Sequence, residues 1–422
     1  MRSNRLSAVL LWALTAVCPL SAAPRLKYVV IVSRHGVRAP TWEAARLNEY
    51  SASPWPQWGV APGELTPHGR ELIKLMGAYY GERFTKEHLL DSQGCRDAGR
   101  VHIVADTSQR TLETGRAFAE SLMPGCAISM QSQPEDEKDP LFSGIGTPDP
   151  ALSLSAVSAR LGENPQRLLA TYHAAIDTLQ NILSGGRNTP KKLLEPPFEI
   201  GVSLSGKTLE LTGPFSVGST MSENLLLEYT NGFQGAELGW GRLTRQTLDK
   251  VLELHAFYAD VMRRTAYLAR ARGSNLLAHV LLSMEQAETG KPVPGALGRP
   301  GDALLILSGH DTNLSNLSGM LGLSWKLPGY QPDDTPPGGA LTFSLWHDDA
   351  GDDSVTAQYI AQSLDQMRNA ARLTLAAPPE SQEVSIPGCQ AEEVKLGCSW
   401  PGFQGALRKA TDAAFVAVPA HR

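Results

Sequence analysis

Three short apolar runs, far apart along the chain, constrain its fold more than any other feature. They are Tyr28-Val29-Val30-Ile31-Val32, Val101-His102-Ile103-Val104-Ala105 and Ala303-Leu304-Leu305-Ile306-Leu307. Largely aliphatic runs of this length read as strands covered on both faces, as in a parallel sheet. Each leads through a polar turn into a helical pattern. Leu72, Leu75, Met76 and Tyr79 mark the first helix, Leu112, Gly115, Phe118, Ala119 and Leu122 the second, and Leu314, Leu317 and Leu321 the third. Thr66-Pro67 supplies an N-cap followed by proline at the first helical position. Strand, turn and helix, recurring in this way, define an α/β chain with an open, mainly parallel sheet flanked by helices. Ligands of such sheets bind beyond the carboxyl ends of the strands. The three turns are therefore expected to converge.

Those turns hold the reactive side chains. The first is Arg34-His35-Gly36-Val37-Arg38-Ala39-Pro40-Thr41, the second Asp106-Thr107-Ser108-Gln109-Arg110, the third Ser308-Gly309-His310-Asp311-Thr312-Asn313. Arginine forks match phosphate oxygens bidentately, and an imidazole can attack phosphorus as a nucleophile. Gly36 is expected to allow a sharp backbone turn. Alone, Arg110 reads as a solvated helix-start residue and His310-Asp311 as an N-cap. Their coincidence at three strand ends points to an anion site.

Composition narrows the class of partner. The chain has 422 residues, 42% hydrophobic and 19% charged, enough for a substantial core. A net charge of −5 makes nucleic acid a poor partner, so a bound anion must be held by local positive charge. Residues 1–23 read as a secretory signal: Arg2 and Arg5, an apolar stretch from Leu6 to Val17, and Ser21-Ala22-Ala23 at the exit. No later stretch is apolar enough to span a bilayer. A periplasmic or secreted protein is expected, with no membrane partner once the signal is removed, and a monomer. Four cysteines remain beyond the signal, Cys95, Cys126, Cys389 and Cys398. They allow three pairings, and proximity favours Cys95–Cys126 and Cys389–Cys398. Neither Cys-x-x-Cys nor His-x-x-x-His spacing supports zinc.

Trp42 to Gly63, rich in Trp, Pro and Ser, reads as a long loop over the site. From about Pro134 the texture turns helical. Leu168, Leu169, Tyr172, Ile176, Leu179 and Leu183 fit one face, and Leu248, Val251, Leu252, His255 and Tyr258 another. The expected organisation is a signal over 1–23, an α/β catalytic domain over 24–133 and 256–422, and a mainly helical inserted domain over 134–255. Leu341 to Trp346 and Val355 to Ser363 read as further strands. Gly201-Val202-Ser203-Leu204-Ser205-Gly206-Lys207-Thr208 matches the phosphate-loop pattern letter for letter. That motif needs a helix leaving it. Here Thr208-Leu209-Glu210-Leu211-Thr212 alternates like a strand and Gly213-Pro214 follows, so a β-hairpin is expected and Lys207 should be dispensable.

With these motifs the chain resembles the histidine acid phosphatases, branch two of the histidine phosphatase superfamily, and among them bacterial periplasmic phytases and glucose-1-phosphatases. The resemblance extends to Gly239-Trp240-Gly241-Arg242, Gln331-Pro332-Asp333 and Pro336-Pro337-Gly338-Gly339. It implies a phosphoglycerate-mutase-like sheet domain carrying a small helical insertion, and hydrolysis of small phosphate esters without cofactor or metal. In this reading His35 forms a phosphohistidine. Arg34, Arg38, Arg110 and His310 hold the phosphoryl oxygens, Thr41 lines the pocket, and Asp311 is the general acid. An acidic optimum is expected, with Asp311 protonated or sharing a proton. Glu223 is either a pocket or water-positioning residue or an ordinary surface helix residue. Trp42 stands where phytases of this group often carry a lysine, which separates phosphomonoester hydrolysis from a preference for phytate. Phytate leads as substrate, with glucose 1-phosphate and other sugar phosphates second. A phosphate- or phosphosugar-binding protein is the non-enzymatic alternative, and Asp311 argues against it, because a carboxylate beside bound phosphate weakens a pure binder.

Overall fold

The computed structural model describes residues 23–417, apart from 92, 163, 204, 207 and 390–395. The expected signal thus lies almost wholly outside the described residues, as does Lys207. Ten strands are described: β1 Arg25–Arg34, β2 Val101–Ala105, β3 Ser129–Gln131, β4 Ile200–Val202, β5 Leu209–Leu211, β6 Leu304–Gly309, β7 Ala340–His347, β8 Asp353–Ala361, β9 Glu380–Glu383 and β10 Cys398–Ser399. Eight form one sheet in the order β10-β8-β7-β1-β6-β2-β3, with β9 also paired to β8. The run from β1 through β6 and β2 to β3 is parallel, and the strands from β7 outward are antiparallel.

Helices cover both faces. Tyr28, Val30 and Val32 enter one buried cluster, Leu26, Val29 and Ile31 the other. This explains why β1 lacks apolar–polar alternation: both of its faces are interior. In register, Ser33 pairs with Ser308 and Arg34 with Gly309, while Ala105 lies beside Ser308 from the other side. The carboxyl ends of β1, β6 and β2 are therefore level. The peptide links continue past them, with His35 N–H donating to the Gly309 carbonyl and Asp106 N–H to that of Ser308.

The Pro67–Lys86 helix starts as expected, the Thr66 hydroxyl accepting from Gly69 N–H at 2.8 Å. Gly36 serves a different purpose from the one read in the sequence. Its φ is not in the left-handed region, but a Cβ there would come within 2.8 Å of the Gly69 carbonyl oxygen and 2.9 Å of Ile73. Glycine is required for close packing against that helix, not for a sharp turn.

Between β3 and β6 the chain is mostly helical. The face read from Leu168 to Leu183 is two helices, Arg167–Thr171 and His173–Ser184, interrupted where Tyr172 (φ −97°, ψ 10°) packs its ring against Phe215 and Phe257. Arg245–Arg263 is one unbroken helix, continuous through residues 255 and 256. The segment from Trp42 to Gly63 is irregular except for the single turn Ala44–Leu47, whose Leu47 carbonyl accepts from Trp55 Nε1. β4 and β5 pair antiparallel, Ile200 with Leu211 and Val202 with Leu209. Strand β5, rather than a helix, follows the phosphate-loop look-alike. Cys95–Cys126 and Cys389–Cys398 are disulfides, the pairing favoured by proximity. Among the described residues no helix is long and apolar enough to cross a membrane.

Candidate active site

The level strand ends bring His35, Asp106 and His310 together. His35 is 2% exposed. Its Nδ1 lies 2.8 Å from the Gly36 carbonyl oxygen, an arrangement in which Nδ1 carries the proton and the Nε2 lone pair is free. Burial, then the charges of Arg110, Arg34, His310 and Arg38, hold its pKa well below the usual histidine value. The ring consequently stays neutral in acid, the form that can act as a nucleophile. His310 faces it edge-on with centroids 5.5 Å apart. The orientation of His310 is set by Asp106, whose Oδ2 lies 2.6 Å from His310 Nε2.

Three arginines surround this pair. Arg34 and Arg38 are 0% and 7% exposed. Glu223, from the Pro214–Thr230 helix, bridges them, Oε1 to Arg34 Nη2 and Oε2 to Arg38 Nη2 at 3.0 Å. Burial alone would raise the Glu223 carboxyl, but Arg38 and Arg34 outweigh it and keep the group ionised. The expected alternative of a surface residue is thereby overturned: Glu223 is 8% exposed and orients two guanidiniums. Arg34 Nη1 donates to the Thr335 carbonyl and Arg38 Nη1 to that of Ala39. The Nε–H groups of Arg34, Arg38 and Arg110 are buried and have no hydrogen-bond partner among the described residues. Buried donors left unmatched are costly, and here three belong to one cluster. Burial and the neighbouring Arg38 push Arg110 down to about 10, still fully cationic in acid.

Asp311 occupies the first position of the Asp311–Leu321 helix. Its Oδ2 accepts from Arg263 Nη1 at 2.6 Å and lies 3.9 Å from Arg34 Nη2. Burial would raise its pKa, but Arg263 and Arg34 prevail and hold it well below the usual carboxylate range. The resting carboxyl is therefore ionised, where the sequence reading has it protonated or sharing a proton. The difference comes from Arg263, which lies on no polar strand-end turn. Its place at the end of an amphipathic helix, beside Arg264, resembles ordinary basic decoration of a helix C-terminus.

Thr41 is exposed, and its Cγ2 and Arg110 Nη1 both border Gly63. Trp42 is half-buried against Tyr50, with the Arg46 guanidinium 3.6 Å over its ring. Beneath the cluster, a ring nitrogen of His255 and carboxylate oxygens of Glu223 and Asp311 lie within 4.8 Å of one another. Both carboxylates are already neutralised by arginines, so the trio makes a poor cation site. Asp334 lies behind, its carboxyl raised by burial against the pull of His255 and Arg34.

A buried neutral imidazole ringed by guanidiniums with free donors is anion-handling machinery, and sequence comparison supplies its lineage. Residues 25–178 and 221–362 match the model of the histidine phosphatase superfamily, branch 2. The chain belongs to that family. This histidine phosphatase is 34% identical to phytase AppA of Escherichia coli (strain K12), covering 96% of this chain and 98% of the relative. It is 27% identical to a glucose-1-phosphatase of Providencia rettgeri, covering 92% of each. Among solved structures, a Hafnia alvei phytase in complex with tartrate superposes with a TM-score of 0.85 at 35% identity, covering 93% of this chain and 98% of that one.

Proposed function

We propose that this histidine phosphatase is an exported acid phosphomonoesterase working through a phosphohistidine on His35, with phytate its leading substrate. The observation that carries the reading is the buried, neutral His35 amid three unmatched arginine Nε–H donors. A phosphoryl group seated on those donors and on His310 has its charge stabilised as phosphorus is attacked, which is most of what phosphoryl transfer asks of a protein.

His35 Nε2 forms a bond to phosphorus as the ester P–O bond breaks. The leaving oxygen takes a proton from Asp311, and Asp311 then accepts one from the water that cleaves the P–N bond. For Asp311 to start protonated, something must offset Arg263. An incoming phosphate dianion does so, since two neighbouring anions favour sharing a proton. That requirement supports an acidic optimum. Glu223 is a positioning residue, fixing Arg34 and Arg38 through Nη2 while leaving their Nε–H groups to substrate. Two disulfides support an oxidising compartment. We propose that it acts as a monomer. We place the inserted helical part from about 134 to the end of the Arg245–Arg263 helix, eight residues beyond the expected boundary at 255, because that helix runs unbroken through it.

Phosphate release from phytate at mildly acidic pH, in EDTA, tests the reading. Release by the wild-type protein that vanishes in His35→Ala is expected. Trp42, in place of a cation, favours glucose 1-phosphate or another sugar phosphate as the second reading. Release from those esters or an aryl phosphate, but not from phytate, would select it. No release from any of them would leave a phosphate-binding protein.

A further inference from the structure

His255 lies on the apolar face of the Arg245–Arg263 helix, among Leu248, Val251 and Leu252, and is 3% exposed. Nothing in that stripe requires a polar side chain. Its Nδ1 is 3.1 Å from the Ser219 hydroxyl, which fixes the ring. Its Nε2 is buried without a hydrogen-bond partner among the described residues. Leaving a ring nitrogen unmatched costs free energy that a leucine would not. One ring nitrogen stands within 4.8 Å of both the Glu223 and the Asp311 carboxylates, a gap that one water spans.

The charged groups around it come from every neighbouring element. Glu223 faces it from the Pro214–Thr230 helix, Asp311 from the start of the Asp311–Leu321 helix, and Asp334 from the loop before β7. Arg34 and Arg38 engage Glu223, and Arg263 engages Asp311. In the resting site Asp311, paired with Arg263, is thus a poor place for a proton.

We propose that His255 is a positioning residue that stores the proton Asp311 needs, yielding it to Asp311 when a phosphate ester occupies the arginines. The inference rests on the phosphomonoesterase reading. In the transfer an imidazolium N–H bond breaks and an Asp311 O–H bond forms. The same proton later passes to the leaving alcohol as the P–O bond breaks. Asp311 regains a proton from the attacking water, and on phosphate release it returns to His255. No further reactant is needed. A proton held within 4.8 Å lets Asp311 serve as an acid at pH values where, alone beside Arg263, it would be empty.

His255→Asn keeps an amide near Nδ1 for Ser219 and removes Nε2. Its kcat/KM is compared with wild type from pH 3 to 7 on two esters: an inositol or glucose phosphate, whose alkoxide must be protonated, and p-nitrophenyl phosphate, whose phenolate need not be. The expected result is a loss of about tenfold or more on the sugar ester near pH 6, shrinking towards pH 3, with less than about threefold loss on the aryl ester. Equal loss on both esters at every pH would reduce His255 to packing and overturn the proposal. A second measurement does not depend on that variant's activity. In histidine-labelled wild-type protein near pH 5, inorganic phosphate should convert the His255 ring signal from imidazolium to neutral; an unchanged charge state would also overturn it. A wild-type protein inactive on both esters would instead defeat the enzymatic reading itself.

Discussion

Glu228 offers a quantitative test of how this fold is matched to acid. It lies five residues beyond Glu223 on the same helix and is 0% exposed. Its Oε2 accepts from Gly239 N–H at 2.8 Å, while Oε1 is buried with no hydrogen-bond partner among the described residues. Burial pushes the carboxyl from 4.5 up to about 8, against the pull of the Gly239 N–H. A carboxyl with a raised folded-state pKa binds its proton more tightly in the folded chain. Its contribution to stability is therefore complete below about pH 4.5, declines as pH rises towards 8, and is level beyond. The decline is about 1.4 kcal/mol per pH unit, so at pH 7 roughly 3 kcal/mol has gone. With an unfolding entropy of about 2 cal/mol/K per residue, that is about 4 °C in Tm for a chain of this size. Glu228→Gln keeps the shape and the acceptor for Gly239 but cannot ionise. Thermal unfolding of both proteins across pH 5 to 8 should show wild type falling progressively behind the variant, then a constant gap above pH 8. Parallel curves throughout that range would refute the reasoning.

Three further outcomes are expected. Asp106→Asn should leave Tm nearly unchanged yet lower kcat/KM by about 10- to 100-fold, because His310 loses the carboxylate that orients it; phosphate-release kinetics beside a melting curve would show the split. Arg263→Gln removes the strongest opponent of Asp311 protonation, so the alkaline limb of the pH–rate profile should move to higher pH, and a shift to lower pH would contradict the assignment. Opening Cys95–Cys126, at a sequence separation of 31, should cost about 4 kcal/mol, and opening Cys389–Cys398, at a separation of 9, about 3 kcal/mol, read from denaturant unfolding of the serine variants.

What was legible in the sequence follows a physical division. Arg34, His35, Arg38, Arg110, His310 and Asp311 sit where an apolar run stops and a helix starts, and a strand end in a parallel sheet has a known destination. The side chains that set the charge of the site do not. Glu223, His255 and Arg263 arrive from two helices whose period reports only which side is buried. Glu223 was visible as a candidate, but its bridge between two arginines depends on how those helices dock on the sheet. Asp106 stood within a recognised motif, yet its hold on His310 spans 204 residues and left no local trace. Gly36 was singled out correctly for the wrong reason, since a tight helix contact and a tight turn both call for a missing side chain.

The span of these contacts has a consequence for when activity can appear. Arg34 meets Glu223 across 189 positions, Asp106 meets His310 across 204, and Arg263 meets Asp311 across 48. No stretch shorter than 277 residues holds both His35 and Asp311. A polypeptide still emerging from synthesis has its arginines and carboxylates dispersed in water. It is chemically silent towards phosphate esters until the helices close over the sheet. Catalysis is thus the last property this chain acquires, and its first turnover reports that folding is complete.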